Sequence, residues 1–397
     1  QNALDLSLLR YKSSYYVVLK HIYQAKLLMT TEKKIRVGIT QGDTNGIGYE
    51  VILKTLSAPG ITDLFIPVVY GSAKVASYHR KALDMPSIPI NVTHNAENIK
   101  DNVPNLVETA DDEIKVELGQ PTEIAGNAAF VALERAVTDL KQGLIDVLVT
   151  APINKQTIQN EAFQFPGHTE YLEASLGDGK SGALMILFNE AMRVALVTTH
   201  LPVAKISQAI SKNVIVDKIR CFNHSLRRDF GIGRPRIAVL SLNPHAGDGG
   251  LLGKEEQEFI TPAIQEVQGE KILAFGPYAA DGFFGSAAYK KFDGVLAMYH
   301  DQGLAAFKAL DQGDGVNFTA GLPLVRTSPD HGTGYDIAGK GEANELSMHA
   351  AIYAAIDIFR KRKRFDEAHK NSLRKQYFDR GNDNVVLDLT KVEDENL

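Results

Sequence analysis

Short apolar runs, rich in β-branched residues, recur along this chain, and they are apolar at every position rather than at every second one. The clearest are Ile35–Thr40, Leu64–Tyr70, Val147–Thr150, Ala183–Phe188, Val194–Thr199, Ile237–Leu242 and Val295–Tyr299. Unbroken runs of this length suit strands covered on both faces. Between them lie stretches of helical period. Asn127–Gln142 places Phe130, Leu133, Val137 and Leu140 on one face, with Gly143 as a stop. Glu345–Arg362 does the same with Met348, Ile352, Ile356 and Phe359. Strands alternating with helices predict an α/β fold with a largely parallel sheet. The 397 residues exceed the roughly 250–300 that one core supports, so two domains are expected. No repeat, low-complexity tract or linker marks the boundary.

The ends and the charge limit the classes of function. Residues 1–28 carry one hydrophobic patch, Tyr15–Leu19, interrupted at once by Lys20, His21 and Lys26. That patch is too short and too charged to span a bilayer, and no secretory cleavage pattern follows it. The expectation is an N-terminal extension outside the chemistry, ahead of an ordinary start at Met29. A net charge of −5 argues against a nucleic-acid partner, which calls for a basic stripe. The basic run Arg360–Arg364 reads instead as the solvated end of a helix, where cations complement the dipole. A single cysteine, Cys221, permits no internal disulfide and fits a reducing, cytoplasmic setting with no membrane partner.

Three histidines each follow a strand run: His200 after Val194–Thr199, His245 after Ile237–Leu242, and His300 after Val295–Tyr299. In an open parallel sheet, ligands bind beyond the carboxyl ends of the strands. Three imidazoles gathered there would suit a Lewis-acid metal with an open position. Taken singly, each histidine is better explained by capping of its strand or pairing with a buried carbonyl; the three at strand ends together are what point to a shared site. The turn Gln41–Glu50 is rich in glycine and joins a strand to a helix, a geometry that offers backbone N–H groups to an anion. It matches neither dinucleotide nor P-loop spacing, and its glycines equally suit a tight turn. Gly167-His168-Thr169-Glu170 opens a helix with an imidazole and a hydroxyl. Lys308, Asn317 and Arg326 lie in a glycine-crowded, loop-like segment whose cations suit phosphate or carboxylate. Thr327–Thr333 adds small polar groups, as ligand contacts or as a capping turn.

In combination, these segments resemble the 4-hydroxythreonine-4-phosphate dehydrogenase family of pyridoxal phosphate biosynthesis. The resemblance rests on Gly42-Asp43…Gly46-Ile47-Gly48…Glu50, Thr150-Ala151-Pro152-Ile153-Asn154-Lys155, Gly167–Glu170, Thr199-His200-Leu201-Pro202, Leu242–Gly247 and Met298–Gly303. It extends through Gly315-Val316-Asn317, Gly321-Leu322-Pro323 and Arg326–Thr333, covering Ile35 to about Phe359.

The resemblance implies an isocitrate/isopropylmalate-dehydrogenase-like fold of two α/β/α domains. Residues 29–160 with 335–397 would form one, and residues 161–334 the other, which carries the metal and phosphate sites. It implies a homodimer with interfacial active sites, one metal ligand coming from the partner. It also implies that His200, His245 and His300 bind one divalent metal (Zn, Co or Mg), and that His168, Thr169, Lys308, Asn317 and Arg326 hold a small phosphorylated substrate. Lys308, Asp281 and Asp301 are candidates for catalysis, and the cofactor is NAD or NADP with its contacts unassigned.

The implied reaction oxidises the 3-hydroxyl of 4-phosphohydroxy-L-threonine, after which the product loses CO2. Many relatives have Asp-Pro-Ala where this chain has Asp43-Thr44-Asn45, and proline where it has Tyr49. The segment around Lys308 is also unusual in wording. A paralogous dehydrogenase of threonate or erythronate 4-phosphate stays open as an alternative. A zinc hydrolase lacks its His-Glu-x-x-His pair here, and a dead binding module should have lost a histidine.

Overall fold

The computed structural model describes residues 33–109, 114–177 and 182–370. The extension expected over residues 1–28 lies outside them. Among the described residues twelve strands form one mixed sheet. They are β1 (Arg36–Thr40), β2 (Ile66–Gly71), β3 (Asn91–Thr93), β4 (Asn105–Glu108), β5 (Val147–Thr150), β6 (Leu184–Phe188), β7 (Arg193–Leu196), β8 (Arg236–Leu240), β9 (Leu273–Tyr278), β10 (Gly294–Ala297), β11 (Val316–Ala320) and β12 (Arg326–Pro329). Their order is β3-β4-β2-β1-β5-β12-β11-β6-β7-β10-β8-β9. Pairing is parallel except at β12–β11, β11–β6 and β6–β7, which are antiparallel. The sheet is therefore largely parallel, as its apolar runs predict.

All seven runs form strands, and those of β1, β2, β5 and β10 are buried along nearly their whole length. Burial on both faces explains why these runs do not alternate. The helix expected over Asn127–Gln142 spans Glu123–Lys141, capped by the Thr122 side chain on the Ala125 N–H. Gly143 follows at φ +70°, the left-handed conformation that ends a helix cheaply only with glycine.

Two expectations are corrected. The segment carrying Asn317 and Arg326 is not a loop face: it forms β11 and β12 at the centre of the sheet, joined through Gly321-Leu322-Pro323. Its polar residues hid that role, because Thr319, Arg326 and Thr327 are buried inside the fold. The basic run does not end its helix, which continues from Leu346 to His369. Within that run Arg362 turns inward. Its Nε donates to Asp229 Oδ1 at 2.6 Å and Nη1 to the Leu322 carbonyl at 3.0 Å, with both side chains about 95% buried.

Removing one member of such a pair strands a buried charge, at a cost of about 3–5 kcal/mol. Asp229→Ala is expected to lose that much stability in chemical denaturation. A loss below about 1 kcal/mol would show the pair to be solvent-screened.

Candidate active site

The sheet delivers its functional residues to one cleft of about 490 Å³. The segment after β5 supplies Lys155, and β11 and β12 supply Asn317 and Arg326. The helix His168–Leu176 supplies its first turn, His200 follows β7, and the helix His300–Leu310 adds His300, Asp301 and Lys308. The residues expected to hold phosphate (His168, Thr169, Lys308, Asn317 and Arg326) all line this one space. Two other candidates do not. Asp281 lies exposed on the helix Ala280–Gly285, and His245 sits exposed in the turn after β8.

Arg326 dominates the electrostatics of the cleft. Its side chain is 2% exposed, yet no carboxylate among the described residues lies within ion-pair distance. Its partners are neutral hydroxyls: Nε and Nη2 donate to Thr150 Oγ1 at 3.0 and 2.6 Å, and Nη1 to Thr319 Oγ1 at 3.2 Å. Burial lowers its pKa to about 9. His168 beside it is held well below the ordinary histidine range, first by burial and then by the charges of Arg326 and Lys155. Several buried polar atoms of the cleft have no hydrogen-bond partner among the described residues: His168 Nε2, Asn317 Oδ1, Glu170 Oε2 and His331 Nε2. Unsatisfied polar atoms around a buried cation that has Glu170 nearby but no carboxylate in ion-pair contact among the described residues are the pattern expected of a site that takes a charged ligand.

Lys308 is held in place. Its Nζ donates to the Asp330 carbonyl at 2.9 Å and to the Asp330 carboxylate, whose side chain is 4% exposed. Ser347 in turn donates to the Gly315 carbonyl and accepts from the Asp330 N–H.

Two of the four histidines lining the cleft, His200 and His300, share a pattern. His200 Nδ1 lies 3.2 Å from Glu170 Oε1, and His300 Nδ1 lies 2.7 Å from Asp301 Oδ1. Their ring centroids are 6.3 Å apart. A carboxylate on Nδ1 leaves Nε2 as the donor nitrogen, an arrangement common for metal-binding imidazoles. His200 Nε2 meets Lys155 Nζ at 3.0 Å. Hydrogen bonding to His200 holds the Glu170 carboxylate below its usual range. Among the described residues, no three His, Cys, Asp or Glu side chains gather closely enough to share one ion.

The glycine-rich turn is not an open anion site. Residues 41–50 are buried throughout, and several of their backbone donors are spent within the fold. Asp43 N–H reaches the Pro152 carbonyl, Ile47 N–H the Thr333 carbonyl, and Asn45 N–H Asp43 Oδ1. A Cβ on Gly46 would collide with that Thr333 carbonyl, so the glycine serves close packing. Tyr49 ties this turn down with hydrogen bonds. Its hydroxyl donates to Gln41 Oε1 at 2.7 Å and accepts from Ser72 N–H at 2.9 Å. Asn45 similarly ties the turn to Glu117 and Gln120.

Residues 63–355 match the model of the family "pyridoxal phosphate biosynthetic protein PdxA". The 4-hydroxythreonine-4-phosphate dehydrogenase of Bacteroides thetaiotaomicron is 59% identical over 364 residues, covering 92% of this chain and 100% of that protein. The chain belongs to the PdxA family. A Sulfurihydrogenibium relative with the same name is 40% identical, over 83% of this chain and its own full length. The solved 4-hydroxythreonine-4-phosphate dehydrogenase of Klebsiella pneumoniae superposes with a TM-score of 0.72 at 32% identity, covering 83% of this chain and 99% of its own. The fold expected from the PdxA resemblance is thus the one observed.

Sequence reasoning assigned no role to several residues that shape this PdxA site. Glu170, Lys155 and His331 stand inside the quoted motifs, and Thr150 closes a strand run. Their partners are remote in sequence, so only the fold shows what each one touches. Asp330 likewise stands inside the quoted stretch Arg326–Thr333, but its pairing with Lys308 has no sequence signature.

Proposed function

We propose that this chain oxidises the 3-hydroxyl of 4-phosphohydroxy-L-threonine with NAD⁺ or NADP⁺, as a step towards pyridoxine 5'-phosphate. The product, 2-amino-3-oxo-4-phosphooxybutanoate, then loses CO2 to give 3-amino-2-oxopropyl phosphate. The observation that carries this reading is buried Arg326, with no carboxylate in ion-pair contact among the described residues, beside neutral His168 in a cleft that also holds Thr169, Asn317 and Lys308. The names of the relatives supply the substrate that suits it.

Each residue has a definable task. Arg326 offers its guanidinium to the phosphate from a dry position, where charge–charge attraction is strongest. His168 and Thr169, at the first turn of their helix, add neutral donors and the positive end of its dipole. Lys308, steered by Asp330, brings a second cation to the same anion. Asn317 has an amide whose oxygen lacks a protein donor, which suits a substrate hydroxyl or ammonium.

His200 and His300 fit a divalent metal by donor type. Paired imidazoles favour Zn²⁺ or Co²⁺ over Mg²⁺, which prefers oxygen ligands. The third donor is assigned to His245 of the partner subunit, since within one chain His245 stands outside the cleft. A bound cation would polarise the substrate oxygen, and the nicotinamide would take the hydride.

A homodimer agrees with the surface. Leu201, Val203, Leu251 and Leu252 are 42–79% exposed, and they flank loops joined by Ser207 donating to Glu255. A second copy covering these residues would remove exposed apolar area. The cleft also falls where the two expected domains would meet. No helix among the described residues is long and apolar enough to cross a membrane.

The test is nicotinamide reduction with 4-phosphohydroxy-L-threonine, run with both cofactors and beside the des-amino 4-phosphorylated acids. Turnover of the amino substrate is expected. Reduction seen only with the des-amino acids would replace this reading with the paralogous one.

A further inference from the structure

We propose that Glu170 and Lys155 jointly set the cation affinity of His200: Glu170 fixes the tautomer that presents the Nε2 lone pair, and Lys155 competes with a metal ion for it. The inference rests on the proposed role of His200 as a metal donor.

The two contacts determine the tautomer by donor chemistry alone. An ammonium only donates, so His200 Nε2, 3.0 Å from Lys155 Nζ, must accept. A neutral ring then carries its proton on Nδ1, which donates to Glu170 Oε1 at 3.2 Å. The opposite tautomer would lose both contacts. Glu170 is well placed to hold this geometry, because its helix is anchored by buried Tyr171 and Leu172 on the following two positions. Its second oxygen is buried with no hydrogen-bond partner among the described residues, which leaves His200 as the side chain the carboxylate bonds. His300 is the other imidazole near this ring, and its own Nδ1 is taken by Asp301.

Lys155 works in the opposite sense. An ammonium and a divalent cation cannot share one lone pair, so metal uptake must release Lys155. The long lysine stem can then carry the charge further into the cleft that Arg326 and Lys308 already make attractive to an anion. Metal uptake and binding of an anionic substrate would therefore reinforce one another, and by linkage equally in both directions.

The experiment titrates the full-length chain with Co²⁺, followed by its visible absorption, for the parent and four variants. Glu170→Ala is expected to weaken Co²⁺ binding by about 10–100-fold, the usual effect of losing the carboxylate behind a histidine ligand. Glu170→Gln, which keeps an acceptor for Nδ1–H, should fall between Ala and parent. Lys155→Met should bind Co²⁺ on the order of tenfold more tightly, the worth of one displaced charge-assisted hydrogen bond. Glu173→Gln, a nearby carboxylate on the same helix, should match the parent.

An Ala variant within twofold of the parent, or a Lys155→Met variant that binds no more tightly, would overturn the proposal. So would equal losses in Glu173→Gln and Glu170→Gln, since bulk charge would then explain both. Failure of the parent to take up any Co²⁺ is a distinct result, because it removes the metal reading itself along with this inference. Circular dichroism melts of each variant separate these outcomes from misfolding.

Discussion

Arg326→Met is expected to reduce kcat/KM by about 10²–10³-fold while leaving the chain at least as resistant to unfolding as the parent. Most core substitutions lose both together, so the opposed signs are diagnostic. The activity loss follows from removing the buried partner of a substrate anion, worth roughly 2–5 kcal/mol. The stability follows from the state of Arg326 without ligand. It is a buried cation with two threonine hydroxyls and no carboxylate within ion-pair reach among the described residues, so folding pays for its desolvation.

The direction of the pH effect is consistent. Burial lowers the folded-state pKa to about 9, below the ordinary arginine range. The unfolded chain therefore binds the proton more tightly than the folded one. The destabilisation is fully present at neutral pH and is relieved only as the pH rises above about 9. Inorganic phosphate should raise the melting temperature of the parent and not of Arg326→Met. A variant with near-parental kcat/KM would exclude Arg326 from the phosphate site. One that melted far below the parent would assign Arg326 to structure.

Mixing two dead variants should restore activity in one combination and not in another. His245→Ala and His300→Ala are each expected to be inactive alone. Dissociated and reassociated together, half of the dimers carry one of each chain, and each such dimer has one intact site. It combines His200 and His300 of one chain with His245 of the partner subunit, so about a quarter of parental activity should return. His200→Ala mixed with His300→Ala should recover nothing, since both residues line the same cleft of one chain. Recovery in that second mixture, or none in the first, would overturn the proposed sharing of the site.

The pattern of legibility follows from what kind of interaction each feature uses. The strands covered on both faces, such as β1, β5 and β10, were plain because burial demands apolar residues at every position. The central strands β11 and β12 were not, because Thr319, Arg326 and Thr327 point their polar groups into the fold and find partners there. The same applies to Arg362, whose place in a basic run concealed a buried pair with Asp229 133 residues away.

The candidate site divides in the same way. That His168, Thr169, Lys308, Asn317 and Arg326 belong together, as the structure gathers them in one cleft, was readable from motifs in the right order. That His245 stands apart from His200 and His300, that the glycine-rich turn spends its donors internally, and that Glu170 backs His200 were not.

The three histidines at strand ends show the limit most clearly. Sequence alone determined that each imidazole would emerge near the carboxyl end of its strand, because apolar periodicity locates strands and the chain continues directly into His200, His245 and His300. Tertiary structure decided which of them meet. Distance between side chains depends on strand order and on the turns that follow, and neither leaves a local signature. Adjacency of β7 and β10 brings His200 and His300 together, while the left-handed turn after β8 leaves His245 exposed, away from their cleft.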